Sequence, residues 1–281
     1  MARLLEIDGH RSESEHSEPA PPGLAAAPDP PRSTPIPESP IALTYNGSNY
    51  AVMMATDRDL FDFAYGFSLS EQIVSSPADI EDVRTQRSPQ GWVVDVRLTS
   101  RAARQARRRK RRLSGSSACG LCGVESLVEA VRSPPKVHPA PPPSKTEINA
   151  VVRQLPRLQR LATFYGGGLH AAVLVGEGHD VLCAREDVGR HNALDKLLGA
   201  SARSGLTGRW VLMSSRCSFE LVQKSAVLGV STLVTLSRAT SMASELAARC
   251  RINLITCIGD DGLIFHHRAS ADSHRSTDRG Y

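Results

Sequence analysis

The sequence predicts an α/β protein: a mixed, mostly parallel sheet with helices on both faces, preceded by a smaller α+β unit. Three observations predict it. From residue 170 onward, short apolar runs rich in Val, Leu and Ile alternate with single amphipathic stretches of helical period, the signature of βαβ units. Before residue 100 the pattern is different: a hairpin, one helix and one half-buried strand. Between the two parts, "SPPKVHPAPPPS" packs six prolines into a short span that no helix or central strand tolerates.

Residues 1–40 hold nine of the eighteen prolines without apolar periodicity and read as a disordered tail. Residues 41–133 form the N-terminal unit. "IALTYNGSNYAVMMA" is two strands joined by Asn46-Gly47, a strong hairpin signal. "TDRDLFDFAYGFSLSEQI" predicts a helix capped by Thr56 or Asp57, with Leu60, Phe63, Ala64 and Phe67 on its apolar face. "GWVVDVRLTS" alternates Val94, Val96 and Leu98 with Asp95, Arg97 and Thr99, as a half-buried strand does. Residues 134–145 read as a linker or an extended surface crossing. In residues 146–268, "LHAAVLV" and "DVLCARE" suit an antiparallel pair. After them come helix "VGRHNALDKLLGASA", strand "WVLMSS", helix "SFELVQKSAVLG", strand "STLVTLS", helix "SMASELAARC", and strands "INLITCI" and "LIFHH". Residues 269–281 read as a polar, frayed tail.

With 41% hydrophobic residues the chain can bury a sizeable core, and no run approaches the ~20 apolar residues of a membrane span. The first twenty residues lack the basic and apolar regions of a secretory signal, so a cytoplasmic address with six reduced cysteines is expected. The net charge of +5 conceals one local feature. Residues 101–112, "RAARQARRRKRR", carry eight Arg or Lys; without them 26 basic residues face 29 acidic ones, a net of −3. That patch points to a local anionic partner, and the lack of aromatics around it argues against single-strand nucleic-acid binding.

Ligands of such sheets bind where strands end and helices begin. "CAREDVGRHNALDK" places Arg185, Asp187, Arg190 and His191 at one such turn, and "SSRCSFE" places Ser215, Arg216 and Ser218 at the next. "YGGGLH" adds Gly168, whose bare backbone can approach a ligand closely, and His170. Arginines, hydroxyls and helix N-termini on one edge suit a phosphate-bearing ligand. His191 and Asp195, four apart, read as a helix-surface ion pair rather than half of a metal site, and no structural metal is expected, since zinc wants about four ligands.

Behind the basic run, "SGSSACGLCGVESL" holds Cys119 and Cys122 among small residues and before a helix-like stretch. A helix N-terminus and a cationic neighbour both lower a thiol pKa, so a nucleophilic thiolate is expected there. A thioredoxin-like oxidoreductase would want an aromatic residue before its C-x-x-C, which this loop lacks.

The blocks "YNG", "VMMATDRDLFDFAYGFSLSE", "ACGLCGVESL", "GGLHAA", "REDVGRHNALDKLLG" and "SSRCSFELVQKSA", in this order, resemble the FdhD family, sulfurtransferases required for formate dehydrogenase activity. The resemblance runs from about Ile41 to His267. It implies a three-layer αβα fold similar to the cytidine deaminases, without their zinc signature, and a homodimer. It implies that Cys119, with Cys122 as companion, carries sulfur as a persulfide from a cysteine desulfurase. The acceptor implied is the bis-guanine-dinucleotide molybdopterin cofactor (Mo-bis-MGD), carrying molybdenum or tungsten, before its insertion into formate dehydrogenase. Guanine nucleotides are then expected to bind as mimics. The turn from Cys257 through Ile258, Gly259, Asp260 and Asp261 to Gly262 corresponds to a cofactor contact of the family, although relatives usually carry a basic residue where this chain has Gly259, Asp260 and Asp261.

Overall fold

In the computed structural model, which describes residues 34–112, 134–258 and 262–269, the hairpin forms as its turn dictates. Strands β1 (Ser39–Tyr45) and β2 (Ser48–Ala55) pair antiparallel, and Asn46 and Gly47 both take the positive φ that such a turn demands. Strand β4 (Gly91–Leu98) adds to β1 in parallel, and β3 (Ile80–Ser88) pairs antiparallel with β4, giving the order β2-β1-β4-β3. Helix α1 (Leu60–Ser70) buries Leu60, Phe63, Ala64 and Phe67 against this sheet, as its periodicity predicts. Its N-cap differs from expectation. Asp59, in the left-handed region and without a side-chain cap, begins the helix, because Thr56 is engaged elsewhere.

The basic run is a helix, α2 (Ser100–Arg112). Ala102 and Ala106 are buried in the core of the first sheet, while Arg104, Arg107 and Arg108 face solvent. Cys119 and Cys122 lie in the stretch 113–133, outside the described residues. Residues 34–40, read from the sequence as tail, are partly structural: Ser39 and Pro40 begin β1, and the tip of Ile36 lies 2.2 Å from where a Cβ on Gly168 would stand.

The Pro-rich stretch 134–144 crosses the second unit in extended form, tied by Val137 N–H to the Cys250 carbonyl. A capping box of Ser144 and Glu147 opens α3 (Lys145–Val152), followed by α4 (Leu155–Leu158) and α5 (Arg160–Tyr165). The larger sheet comprises β5 (His170–Val175), β6 (Val181–Asp187), β7 (Trp210–Met213), β8 (Thr232–Thr235), β9 (Asn253–Ile258) and β10 (Gly262–His267), in the order β10-β9-β8-β7-β5-β6. Only β7-β8 and β8-β9 pair in parallel; the other three pairings are antiparallel. The sheet is therefore mixed, not mostly parallel. The βαβ crossovers cover only the centre, and hairpins supply both flanks.

Helices α6 (Arg190–Ser204), α7 (Phe219–Val227) and α8 (Ser241–Cys250) cover one face, packing Leu194, Leu197, Leu221, Val222 and Leu246 on Leu174, Val211, Met213 and Leu233. Ile148, Val151 and Leu155 cover the other face over Val173, Leu212, Val234 and Ile255. The alternation along each strand thus feeds two cores, making three layers. The two units meet where α1 crosses α6. A Cβ on Gly66 would stand 1.7 Å from the Asp195 carbonyl oxygen, and one on Gly199 1.8 Å from that of Asp62, so only glycine permits this approach. No helix among the described residues is long and apolar enough to cross a membrane.

Candidate functional site

The strand directions bring the residues singled out in the sequence to one edge. Strands β6, β7 and β8 end there and β5 begins there, so His170 pairs with Asp187 across the β5-β6 hairpin and with the β7 end through its neighbours. Ala171 and Ser214 lock that junction: Ala171 N–H donates to Ser214 Oγ at 2.8 Å, and Ser214 N–H to the Ala171 carbonyl at 2.9 Å.

The turn from β6 into α6 is built from its polar residues. Its N-cap is Gly189, with extended backbone and no capping side chain. A Ser, Thr or Asp there would consume an amide of the first helical turn; glycine leaves the amides of Arg190, His191 and Asn192 without that cap. Arg190 heads the helix, and its Nε is buried with no hydrogen-bond partner among the described residues. His191 Nε2 stands 3.3 Å from Ser218 Oγ and 3.7 Å from Glu220 Oε2. Burial pushes the Glu220 carboxyl up, but hydrogen bonds from His191, Ser218 and its own amide outweigh that and bring it down to about 2. His170 is held below the usual histidine value, first by burial and then by the positive field of Arg190 and His191, with Asp187 opposing in part. An orphaned guanidinium nitrogen, two histidines and open amides at the N-terminus of a fifteen-residue helix form a setting that an anion would complete.

Ser218 begins α7 without capping it through its side chain, Arg216 is exposed, and buried Ser215 donates back to the Arg216 carbonyl at 3.0 Å. The loop after β8 joins this edge, which the sequence did not disclose. Cys217 bridges to Ala239, its N–H donating to the Arg238 carbonyl at 3.2 Å while its own carbonyl accepts from Thr240 N–H at 3.0 Å. Cys257 and Ile258 end β9 and Gly262 begins β10, while Gly259, Asp260 and Asp261 lie outside the described residues.

Other residues singled out in the sequence point elsewhere. Arg185 turns toward α1, its Nη2 2.7 Å from Asp62 and its Nε 3.7 Å from Asp59. Asp187 is fully buried, and both of its oxygens are taken by the protein's own donors. Glu186 accepts from the amides of Leu161 and Ala162 at 2.8 and 2.9 Å and so caps α5, just before the triple glycine. His191 and Asp195 do not form the expected surface pair, because Asp195 is buried against Lys224 of α7. Among the described residues no group of three or more His, Cys, Asp and Glu could hold a metal ion.

The four described cysteines share one property. Burial raises the thiol of Cys183, Cys217, Cys250 and Cys257, that of Cys217 up to about 12. None of them is poised as a nucleophile at neutral pH.

Fold and site together define a class: a two-sheet α/β protein with cationic and polar groups gathered at one strand edge, and with a basic helix that precedes a cysteine pair in the sequence. Residues 36–271 match the model of the FdhD/NarQ family, and the chain belongs to that family. It is 42% identical over 233 residues to the sulfur carrier protein FdhD of Bordetella petrii, covering 82% of this chain and 84% of the relative. It is 43% identical over 219 residues to the protein of the same name from Cupriavidus necator, covering 77% and 76% of the two chains. The fold is shared with a solved structure from Desulfotalea psychrophila described as a formate dehydrogenase accessory protein. The TM-score is 0.61 at 20% identity, over 83% of this chain and 88% of that one.

Proposed function

We propose that this chain is a sulfur carrier serving formate dehydrogenase, with Cys119 holding the sulfur as a persulfide and Cys122 assisting. The observation that carries the reading is the state of the thiols. In a member of a family whose relatives are named sulfur carriers, all four described cysteines are held protonated by burial, which leaves Cys119 and Cys122 for the chemistry. Sulfur enters by attack of the Cys119 thiolate on the outer sulfur of a cysteine desulfurase persulfide. A new S–S bond forms on Cys119, the donor's S–S bond breaks, and the donor cysteine leaves as thiolate.

The acceptor in this reading is Mo-bis-MGD, bound as cargo in the cytoplasm by a homodimer before its insertion into formate dehydrogenase. Its pyrophosphates suit Arg190, His191, His170 and the open amides of α6, with Arg216, Ser218 and Gly168 around them; the Cys257–Gly262 stretch enters this reading through the family resemblance alone. GDP, with one pyrophosphate and one guanine, is the simplest mimic. Calorimetry should show GDP binding and ADP binding more weakly; equal or absent binding of both would remove the nucleotide from the reading.

The sulfur step has its own test. After incubation with desulfurase and cysteine, the peptide spanning Cys119 and Cys122 should gain the mass of one sulfur. Cys119→Ala should abolish that gain and leave formate dehydrogenase inactive while GDP binding persists. A gain that survives Cys119→Ala and vanishes in Cys122→Ala would reverse the assignment of the two thiols.

A further inference from the structure

We infer that Thr56, in the N-terminal unit, is a positioning residue for the ligand turn of the C-terminal unit. The inference rests on the reading of the β6-α6 turn as the phosphate-binding element. Thr56 lies between β2 and α1 and is completely buried. Two of its polar groups are directed at that turn and the third at Lys196 of α6, whose ammonium also holds Asp187, all more than 130 residues away in sequence. Its N–H donates to Asp187 Oδ2 at 3.0 Å, its Oγ1 accepts from Val188 N–H at 3.2 Å, and its carbonyl accepts from Lys196 Nζ at 2.8 Å. Two residues earlier, the Met54 carbonyl accepts from Asn192 Nδ2 at 2.9 Å.

Asp187 is the other half of the clasp. Its Oδ1 accepts from Gly189 N–H at 2.8 Å and Asn192 Nδ2 at 3.0 Å, and its Oδ2 from Thr56 N–H at 3.0 Å and Lys196 Nζ at 2.7 Å. With four donors on two oxygens, the carboxylate has nothing left to offer a ligand. Lys196 is fully buried as well, so two charges are held out of water to build this cluster. Apolar packing would join two units with less desolvation. What the polar cluster adds is a fixed orientation for the backbone of residues 187–192.

That orientation has to come from outside the helix. Gly189 has no side chain to cap α6, and a Cβ there would stand 2.9 Å from Asn192 Nδ2. The usual cap is replaced by Asp187 and Thr56, which hold the two amides just ahead of the helix, Gly189 and Val188, and leave the first-turn amides open. Thr56 thus acts on the ligand through the turn and never touches it.

The test uses the full chain with Thr56→Val, which keeps shape and backbone groups but removes the acceptor of Val188 N–H, and Thr56→Ser, which restores it. GDP affinity is measured by calorimetry where both variants are fully folded, and amide exchange is followed at Val188 and Gly189. Thr56→Val should weaken GDP binding by about tenfold, the worth of one hydrogen bond, and speed exchange at Val188 by a similar factor while the β7 and β8 amides stay protected. Thr56→Ser should recover both. GDP affinity within about twofold of the parent in Thr56→Val, or a Thr56→Ser variant no better than Val, overturns the inference. Should the parent chain show no affinity for GDP, the ligand reading falls and exchange decides alone. Faster exchange at Val188, reversed by Ser, upholds the clasp, and unchanged exchange overturns it.

Discussion

Asp195 and Lys196 are neighbours on α6, both buried, each paired with a residue of opposite charge, and the two pairs are tied to different parts of the molecule. Lys196 reaches Asp187 and the Thr56 carbonyl, so its pair holds backbone at the β6-α6 turn. Asp195 accepts from Lys224 Nζ at 2.9 Å and Ser70 Oγ at 2.6 Å, and Lys224 continues to Glu71 at 2.8 Å, so this pair joins side chains of α1, α6 and α7. Burial pulls the Lys224 ammonium down, but Asp195 and Glu71 outweigh it and hold its proton well above the usual lysine range. One pair fixes a loop and the other fixes a scaffold. Burial and geometry alone do not tell them apart; their neighbours do.

The largest expected effect breaks the scaffold pair. Lys224→Met leaves Asp195 buried without its cation, a defect that costs about 3–5 kcal/mol. Denaturant unfolding should show that loss, while GDP affinity measured on the folded fraction stays at the parent level. Lys196→Met should lose comparable stability and GDP affinity as well. Equal loss of affinity in both variants would erase the distinction between the pairs.

The basic helix offers the contrasting case of charges left in water. Arg104, Arg107 and Arg108 are exposed on α2, spaced so that they repel one another across single turns. Such charges act over about 8 Å at physiological salt, so they change encounter rates more than affinity. Replacing all three by Gln should slow association with the cysteine desulfurase severalfold at low salt and little at high salt, in stopped-flow measurements. Identical rates at low salt would reduce the helix to a solvated face.

The same contrast explains what the sequence disclosed. The hairpin, α1 and the alternation from β5 to β10 were legible because local chemistry specifies them: Asn46-Gly47 for the turn, apolar period for the rest. The convergence of Gly168, His170, Arg190, His191 and Ser218 on one edge followed from strand order alone. Strand β3 was missed because "IEDVRTQRS" is charged at Glu81, Asp82, Arg84 and Arg87, as an edge strand permits. The helical state of residues 100–112 was hidden because the apolar signal is a few alanines, with Ala102 and Ala106 buried, and the contacts of Arg101 with Asp79 and of Gln105 with the Gln72 carbonyl are distant in sequence. Thr56 looked like a cap and Arg185 and Asp187 like ligand contacts because their partners are distant in sequence. Asp62 is the partner of one, and Thr56 and Lys196 are partners of the other, and no spacing rule connects them.

The smallest effect tests the ligand side of the comparison through His170. In the free protein its proton affinity is lowered by burial, Arg190 and His191, so the folded state binds its proton less readily than the unfolded chain. Stability should therefore fall as pH drops below about 6.5 toward the folded value. A bound phosphate reverses the local field and raises the proton affinity of His170, so binding and protonation favour each other. GDP affinity should then gain from acidification over the window in which stability loses. The terminal phosphate of the nucleotide itself titrates near about 6, which works against affinity at low pH, so the comparison with His170→Gln isolates the histidine. Calorimetry between pH 7.5 and 5.5, in two buffers of different ionisation enthalpy, should show proton uptake on binding that is larger in the parent than in His170→Gln. Equal uptake in the two proteins would place His170 outside the field of the bound anion, and leave Arg190, His191 and the open amides of α6 to hold the phosphate without it.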